Sequence, residues 1–189
     1  MSIKSLALII FTTASVHITC AEPSLNTPLN GMTANTPDVV MFTPPTGWRH
    51  ADASALPEHV SLMVVGKGSR EFPPSMTLGT EIYKGTLKQY LNKVKEINRS
   101  KGYEWKDLGT LRTEAGNASL SQVDTRSEWG DVRMMHVIVL RDETIYILTA
   151  ASLKEEFASH YKDIFNSFRS LRFSKTPYNT TAYEIQKKN

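Results

Sequence analysis

His50, Asp52, Glu58 and His59 fall within about ten residues of one another, and imidazole beside carboxylate is a donor set that suits zinc or manganese. The spacing matches no recurrent ligand pattern. Structural sites bring closely spaced pairs from fixed elements, whereas this segment also holds Ala51, Ala53, Ser54 and Pro57 and reads as a loop. Solvated loop residues are the favoured reading, with His50, Asp52 and His59 kept as metal candidates. Gly66-Lys67-Gly68-Ser69-Arg70 begins like a phosphate loop, but Glu71 stands where the third glycine belongs and no Gly-Lys-Ser/Thr ending occurs; a basic surface turn is expected. No Gly-x-Ser-x-Gly elbow occurs either, and the single cysteine, Cys20, lies in an N-terminal segment that reads as an export signal. No thiol is therefore placed to pair with a histidine. His136, between Met135 and Val137, reads as a hydrogen-bonded sheet residue, and His160 is expected to face water or a helix flank. No catalytic residue and no cofactor is assigned, and the chain is not expected to be an enzyme.

Binding offers more. Lys88, Asn92, Lys95 and Arg99 recur at helical spacing beside Leu87 and Leu91, making a basic strip suited to an acidic partner or anionic lipid. The bland account of such a strip is a solvated helix face. Trp129 sits beside Gly130 in an expected hairpin tip, where it either packs back onto the sheet or serves as a contact, tryptophan being enriched at interaction hot spots. Asn98-Arg99-Ser100, Asn117-Ala118-Ser119 and Asn179-Thr180-Thr181 satisfy the glycosylation acceptor pattern, which matters only on a eukaryotic secretory route.

The elements that must position these residues follow from periodicity. Val39 to Phe42 and Val60 to Val65 read as strands with the Pro44-Pro45-Thr46-Gly47 turn between them, and Met76, Leu78 and Ile82 alternate with polar neighbours in a third. A helix follows: Thr86 caps it, Leu87, Tyr90, Leu91, Val94 and Ile97 share a side, and Gly102 permits the left-handed stop. Four strands are then expected over Trp105 to Thr113, Asn117 to Arg126, Val132 to Leu140 and Thr144 to Ala150, with gaps short enough only for hairpins. The last two are apolar on both faces, which calls for layers on both sides of the sheet. Ser152-Leu153-Lys154-Glu155 has the capping-box pattern and is expected to open a second helix with Phe157, Tyr161, Ile164, Phe165 and Phe168 inward.

Lys4 followed by apolar Leu6 to Phe11 and then Thr19-Cys20-Ala21 reads as a signal over residues 1–21. Thr12, Thr13, Ser15 and His17 interrupt the run before the roughly 20 apolar residues a membrane span needs. Cleavage leaving Glu22 first is favoured. A lipoprotein signal would instead cut before Cys20 and acylate it, giving membrane association, although His17 stands where such signals usually carry leucine. Residues 22–38 are expected to be a flexible linker, 39–173 the folded domain and 174–189 a polar tail. A single cysteine allows no intramolecular disulfide, and a formal charge of +3 is too small to argue for nucleic acid.

Phe42-Thr43-Pro44-Pro45-Thr46-Gly47-Trp48 resembles the opening strand and Pro-x-Gly-Trp turn of the PsbP/Mog1/DcrB-like family. Phe72-Pro73-Pro74-Ser75-Met76-Thr77-Leu78 with Leu87-Lys88-Gln89-Tyr90 is similar to that group's second block, and Ser167-Phe168 to its closing pair; Ser75 stands where relatives often carry Asn. The resemblance runs from about Val39 to Phe173. It implies an α+β fold, a single-domain α-β-α sandwich whose mostly antiparallel sheet of about seven strands is flanked by two main helices. It also implies a non-enzymatic accessory module, which in that group is a photosystem subunit in plants, a Ran-binding factor in fungi and an envelope lipoprotein in bacteria. No photosynthetic or Ran motif carries over, and fold is implied far better than function. The reading is an exported bacterial protein of the periplasm or envelope that binds an envelope protein partner and no nucleic acid. The alternative is a periplasmic protein holding a small ligand or metal between sheet and helix, with the His50 to His59 loop at its rim. An undetected hydrolase is the least favoured.

Overall fold

Four strands joined by two-residue turns form the larger part of the sheet: β5 (Glu104–Thr113), β6 (Gly116–Ser127), β7 (Gly130–Arg141) and β8 (Thr144–Leu153). A computed structural model of the chain describes residues 39–68 and 71–174. The expected signal with Cys20, the linker, Ser69 and Arg70, Asn179-Thr180-Thr181 and the tail beyond Ser174 lie outside the described residues. Between β7 and β8, Asp142 and Glu143 both take positive φ, 48° and 58°, the geometry that lets a two-residue turn match the twist of its strands. Between β5 and β6, the Glu114 and Ala115 amides donate to the Arg169 and Leu171 carbonyls, tying that turn to the end of the second helix.

Three strands precede the meander: β2 (Arg49–His50), β3 (Val60–Val65) and β4 (Ser75–Ile82). The seven-stranded order is β2-β3-β4-β8-β7-β6-β5, with every ladder antiparallel. Helix α1 (Leu87–Ser100) carries the chain from β4 in the middle to β5 at the far edge, across one face. Thr86 and Gln89 form a reciprocal capping box at its start, and Gly102 takes φ 72° after its end. On the other face lie helix α2 (Phe157–Arg169) and a two-stranded ribbon of β1 (Val39–Met41) with β9 (Arg172–Ser174).

The α2 side holds the main core, in which Phe157, Ile164, Phe165 and Phe168 meet Met76, Leu78, Met135, Val137 and Leu148. The α1 side holds two smaller clusters, one of Tyr90, Val94, Ile138 and Ile145, the other of Phe72, Val123, Met134, Ala151 and Leu153. Burial on both faces of β7 and β8 is the three-layer signature expected of them.

Several expectations are corrected. Ser152-Leu153-Lys154-Glu155 opens no helix: β8 runs through Leu153, which pairs with Val132, and α2 starts at Phe157 behind Glu156, whose side chain makes no cap. Tyr161 is 50% exposed and leans on Phe165, with ring centroids 4.3 Å apart. Ile82, expected inward, is 79% exposed at the end of β4, while Thr77 on the expected polar face is buried. The Pro45-Thr46-Gly47 turn does not join a hairpin, because β1 belongs to the ribbon; it delivers the chain into β2. Ser174, assigned to the tail, completes β9 opposite Val39.

Candidate functional site

Helix α1 presents Lys88, Asn92, Lys95 and Arg99 to solvent along one line, as the spacing predicted. Lys84, Lys93 and Lys101 are exposed around them, and Glu96 is the only acid between residues 84 and 101. The segment thus carries a local charge of +5 against +3 for the whole chain. None of its six cations is ion-paired with another described residue. Two rest on aromatic rings instead: Lys93 Nζ lies 5.0 Å from the Tyr83 centroid and Lys95 Nζ 5.8 Å from that of Trp105.

The helix beneath these charges is firmly seated. Tyr90 is buried, and its hydroxyl donates to Glu81 Oε2 at 3.0 Å. Burial first, and the Glu81 carboxylate second, push the phenol well above its usual range. Lys88 sits in the first turn, where the helix dipole disfavours a cation and no acid compensates it. Lys88 therefore does not serve helix stability, whereas Arg99 in the last turn is favourably placed.

Trp129 is half-buried. Its ring packs on Phe72 at 5.5 Å beside Val132 and Leu153, and it lines a shallow depression of about 290 Å³ with Gly130, Asp131, Lys154 and Glu155. Trp48 has a comparable duty on the other side, because its ring lies over Gly66, where an added Cβ would come within 2.7 Å of Trp48 Cε2. That contact gives the Pro-x-Gly-Trp turn and the first glycine of the false phosphate loop a shared structural role.

The metal candidates are spread out. His50 lies on β2 opposite Val64, and Asp52 caps the short 3-10 turn Ala53–Ala55. The Ser54 amide and then its hydroxyl hold the Asp52 carboxyl below its ordinary range. His59 is partly buried with Nε2 unpartnered, and its carbonyl accepts from the Thr80 amide at 3.1 Å. Among the described residues no group of three or more His, Cys, Asp and Glu side chains converges as a metal site.

Sequence reasoning missed an ion cluster around buried Asp124, on β6, β7 and the segment after β8. Arg133 donates to both oxygens of buried Asp124, from Nε at 2.9 Å and Nη2 at 2.8 Å, while Lys154 adds a contact at 3.0 Å and Gln122 one at 3.1 Å. The Arg133 hydrogen bonds lead in holding the Asp124 carboxyl down to about 2. Both oxygens are engaged, so the cluster is a clamp. His136 makes one contact, Nδ1 to Thr149 Oγ1 at 2.9 Å, and burial pushes its imidazole down to about 4. His160 is partly buried, edge-on to Trp48 at 6.1 Å. No sequence spacing signals either grouping, since strand register creates both.

No family model and no curated protein matches the chain. Solved structures do. The structure of LpqN, described as involved in cell envelope biogenesis of Mycobacterium tuberculosis, superposes with a TM-score of 0.54 at 13% identity, covering 75% of this chain and 87% of that one. Cyanobacterial PsbP (CyanoP) from Synechocystis matches with a TM-score of 0.45 at 10% identity, over 78% of this chain and 98% of that one. The Saccharomyces cerevisiae Ran-binding protein Mog1p matches with a TM-score of 0.41 at 18% identity, over 78% and 85%. At 13% identity the likeness to LpqN is one of fold. That fold is an α+β sandwich with a seven-stranded antiparallel sheet, the architecture expected from the sequence.

Proposed function

We propose that the protein is an exported accessory component of the cell envelope that acts by binding a protein partner, not by catalysis, and that the exposed basic face of α1 is its contact. The observation that carries this reading is the set of six cations over residues 84–101, four of them on α1 itself, none ion-paired with another described residue and one placed against the helix dipole. Unpaired like charges on one face steer an acidic partner and raise its rate of encounter. The signal-like N-terminus supports export, and the described role of LpqN in cell envelope biogenesis is in keeping with an envelope setting.

Site-specific photo-crosslinking in the native cells tests the proposal. A photoreactive residue at Asn92 or Lys95 is expected to trap one protein species that the same probe at Lys162, on α2, does not. The band should fade when Lys88 and Arg99 are both changed to Glu. Equal trapping from both helices would overturn the reading, and crosslinks to lipid in place of protein would move the contact to the membrane surface.

A further inference from the structure

Every exposed residue of α1 is polar. Lys88, Lys95 and Arg99 fall within one narrow stripe of the helix, and at 1.5 Å per residue that stripe is about 16 Å long. The surface is set before anything binds to it. The Thr86 and Gln89 capping box fixes the first turn, the Tyr90 hydroxyl is held by Glu81, and Lys95 rests on Trp105. A partner therefore has little order left to impose here.

The stripe lacks the other half of a durable interface. Permanent interfaces bury an apolar core inside a polar rim. Among the described residues the exposed large apolar side chains are Ile82, Leu108 and Tyr161, and none of them lies on α1. Ile82 precedes the helix, but the period of β4 sets it with Met76 and Leu78 on the α2 side of the sheet. Tyr161 belongs to α2, and Leu108 to the bulge of the edge strand β5. Leu87 and Leu91, which border the stripe, pack into the cluster of Tyr90, Ile138 and Ile145. No apolar anchor is left for a visitor at this face.

We propose, resting on the reading of α1 as the contact with a protein partner, that the contact is an exchanging one made through charge. The partner presents a run of Asp and Glu side chains, with carboxylates to meet Lys88, Lys95 and Arg99, and it is released as ionic strength rises. Attraction between exposed charges reaches about 10 Å at 0.1 M salt and about 3 Å at 1 M. An apolar interface behaves in the opposite way, because sulfate strengthens the burial of apolar surface.

Full-length protein with the photoreactive residue at Asn92, which leaves every cation in place, provides the test. Envelopes from the native cells are illuminated in about 0.05 M and about 0.5 M sodium chloride, and in sodium sulfate of the same two ionic strengths. The trapped band is expected to fall about tenfold at the higher strength in either salt and to return on dilution. Changing both exposed cations, Lys88→Gln with Arg99→Gln, should lower the low-salt band severalfold and flatten its salt dependence. A band that keeps its strength in concentrated chloride, or grows in sulfate, overturns the exchanging contact while the partner reading stands. No band at any salt concentration overturns the partner reading and this inference with it. The purified, 15N-labelled full chain gives a second readout when titrated with a synthetic oligo-glutamate long enough to span about 16 Å. The α1 amide signals should move in fast exchange at low salt and stay in place with oligo-lysine; slow exchange, or shifts confined to other elements, would overturn the proposal.

Discussion

At the residue scale, Lys88 separates stability from function. Its position in the first turn of α1 opposes the helix dipole, so Lys88→Glu is expected to raise stability by about 0.3–1 kcal/mol in a urea titration. The same change should weaken the crosslink from Lys95, because it reverses one charge on the contact line. Gly66 makes the opposite case. A methyl group there meets the Trp48 ring at 2.7 Å, and Gly66→Ala is expected to cost about 1–3 kcal/mol by overpacking, read from the same titration. The lysine strip was legible in the sequence because one helix carries all of it and spacing alone sets its face. The duty of Gly66 was not legible, since its partner arrives from a turn before β2. Nor was the polar row of Thr77, Thr149, His136 and Ser121, whose members become neighbours only through strand register.

At the element scale, local signals and the sheet compete. Helix α1 was legible end to end because its cap, its apolar stripe and Gly102 agree. The start of α2 was not, because Ser152-Leu153-Lys154-Glu155 fits a capping box while the β7 ladder holds Ser152 and Leu153 in β8. Tertiary pairing overrides a four-residue preference of that kind. The meander was legible from its short gaps, whereas the three-residue strands β1 and β9 pair across the length of the domain and leave no local signal of their partnership. The β7–β8 turn yields a prediction. Glu143 holds φ 58° without being glycine, so Glu143→Gly is expected to stabilise the domain by about 1 kcal/mol, seen as a rise of roughly 3 °C in Tm by calorimetry.

At the scale of the whole molecule, acid should unfold the protein in two windows. His136 is held down to about 4 by burial from an ordinary 6.5, so the unfolded chain takes up the proton first. The stability that neutral His136 preserves is whole above pH 6.5 and declines toward pH 4, by about 3 kcal/mol at most. Asp124 is held down to about 2 from 3.8 by Arg133. Its contribution, about 2 kcal/mol, persists above pH 4 and disappears as pH falls toward 2. Urea midpoints measured from pH 7.5 to 2.5 should fall in both intervals, and His136→Gln should flatten the upper one while leaving the lower.

The ribbon of β1 and β9 sets Val39 beside Ser174 and rests on the α2 side of the sheet. The two ends of the described chain, Val39 and Ser174, therefore lie side by side on that side. α1 is in the opposite outer layer. A tether at either end therefore holds the molecule by its back and turns the cationic helix outward, so an anchored copy and a freely diffusing one offer a visitor the same face.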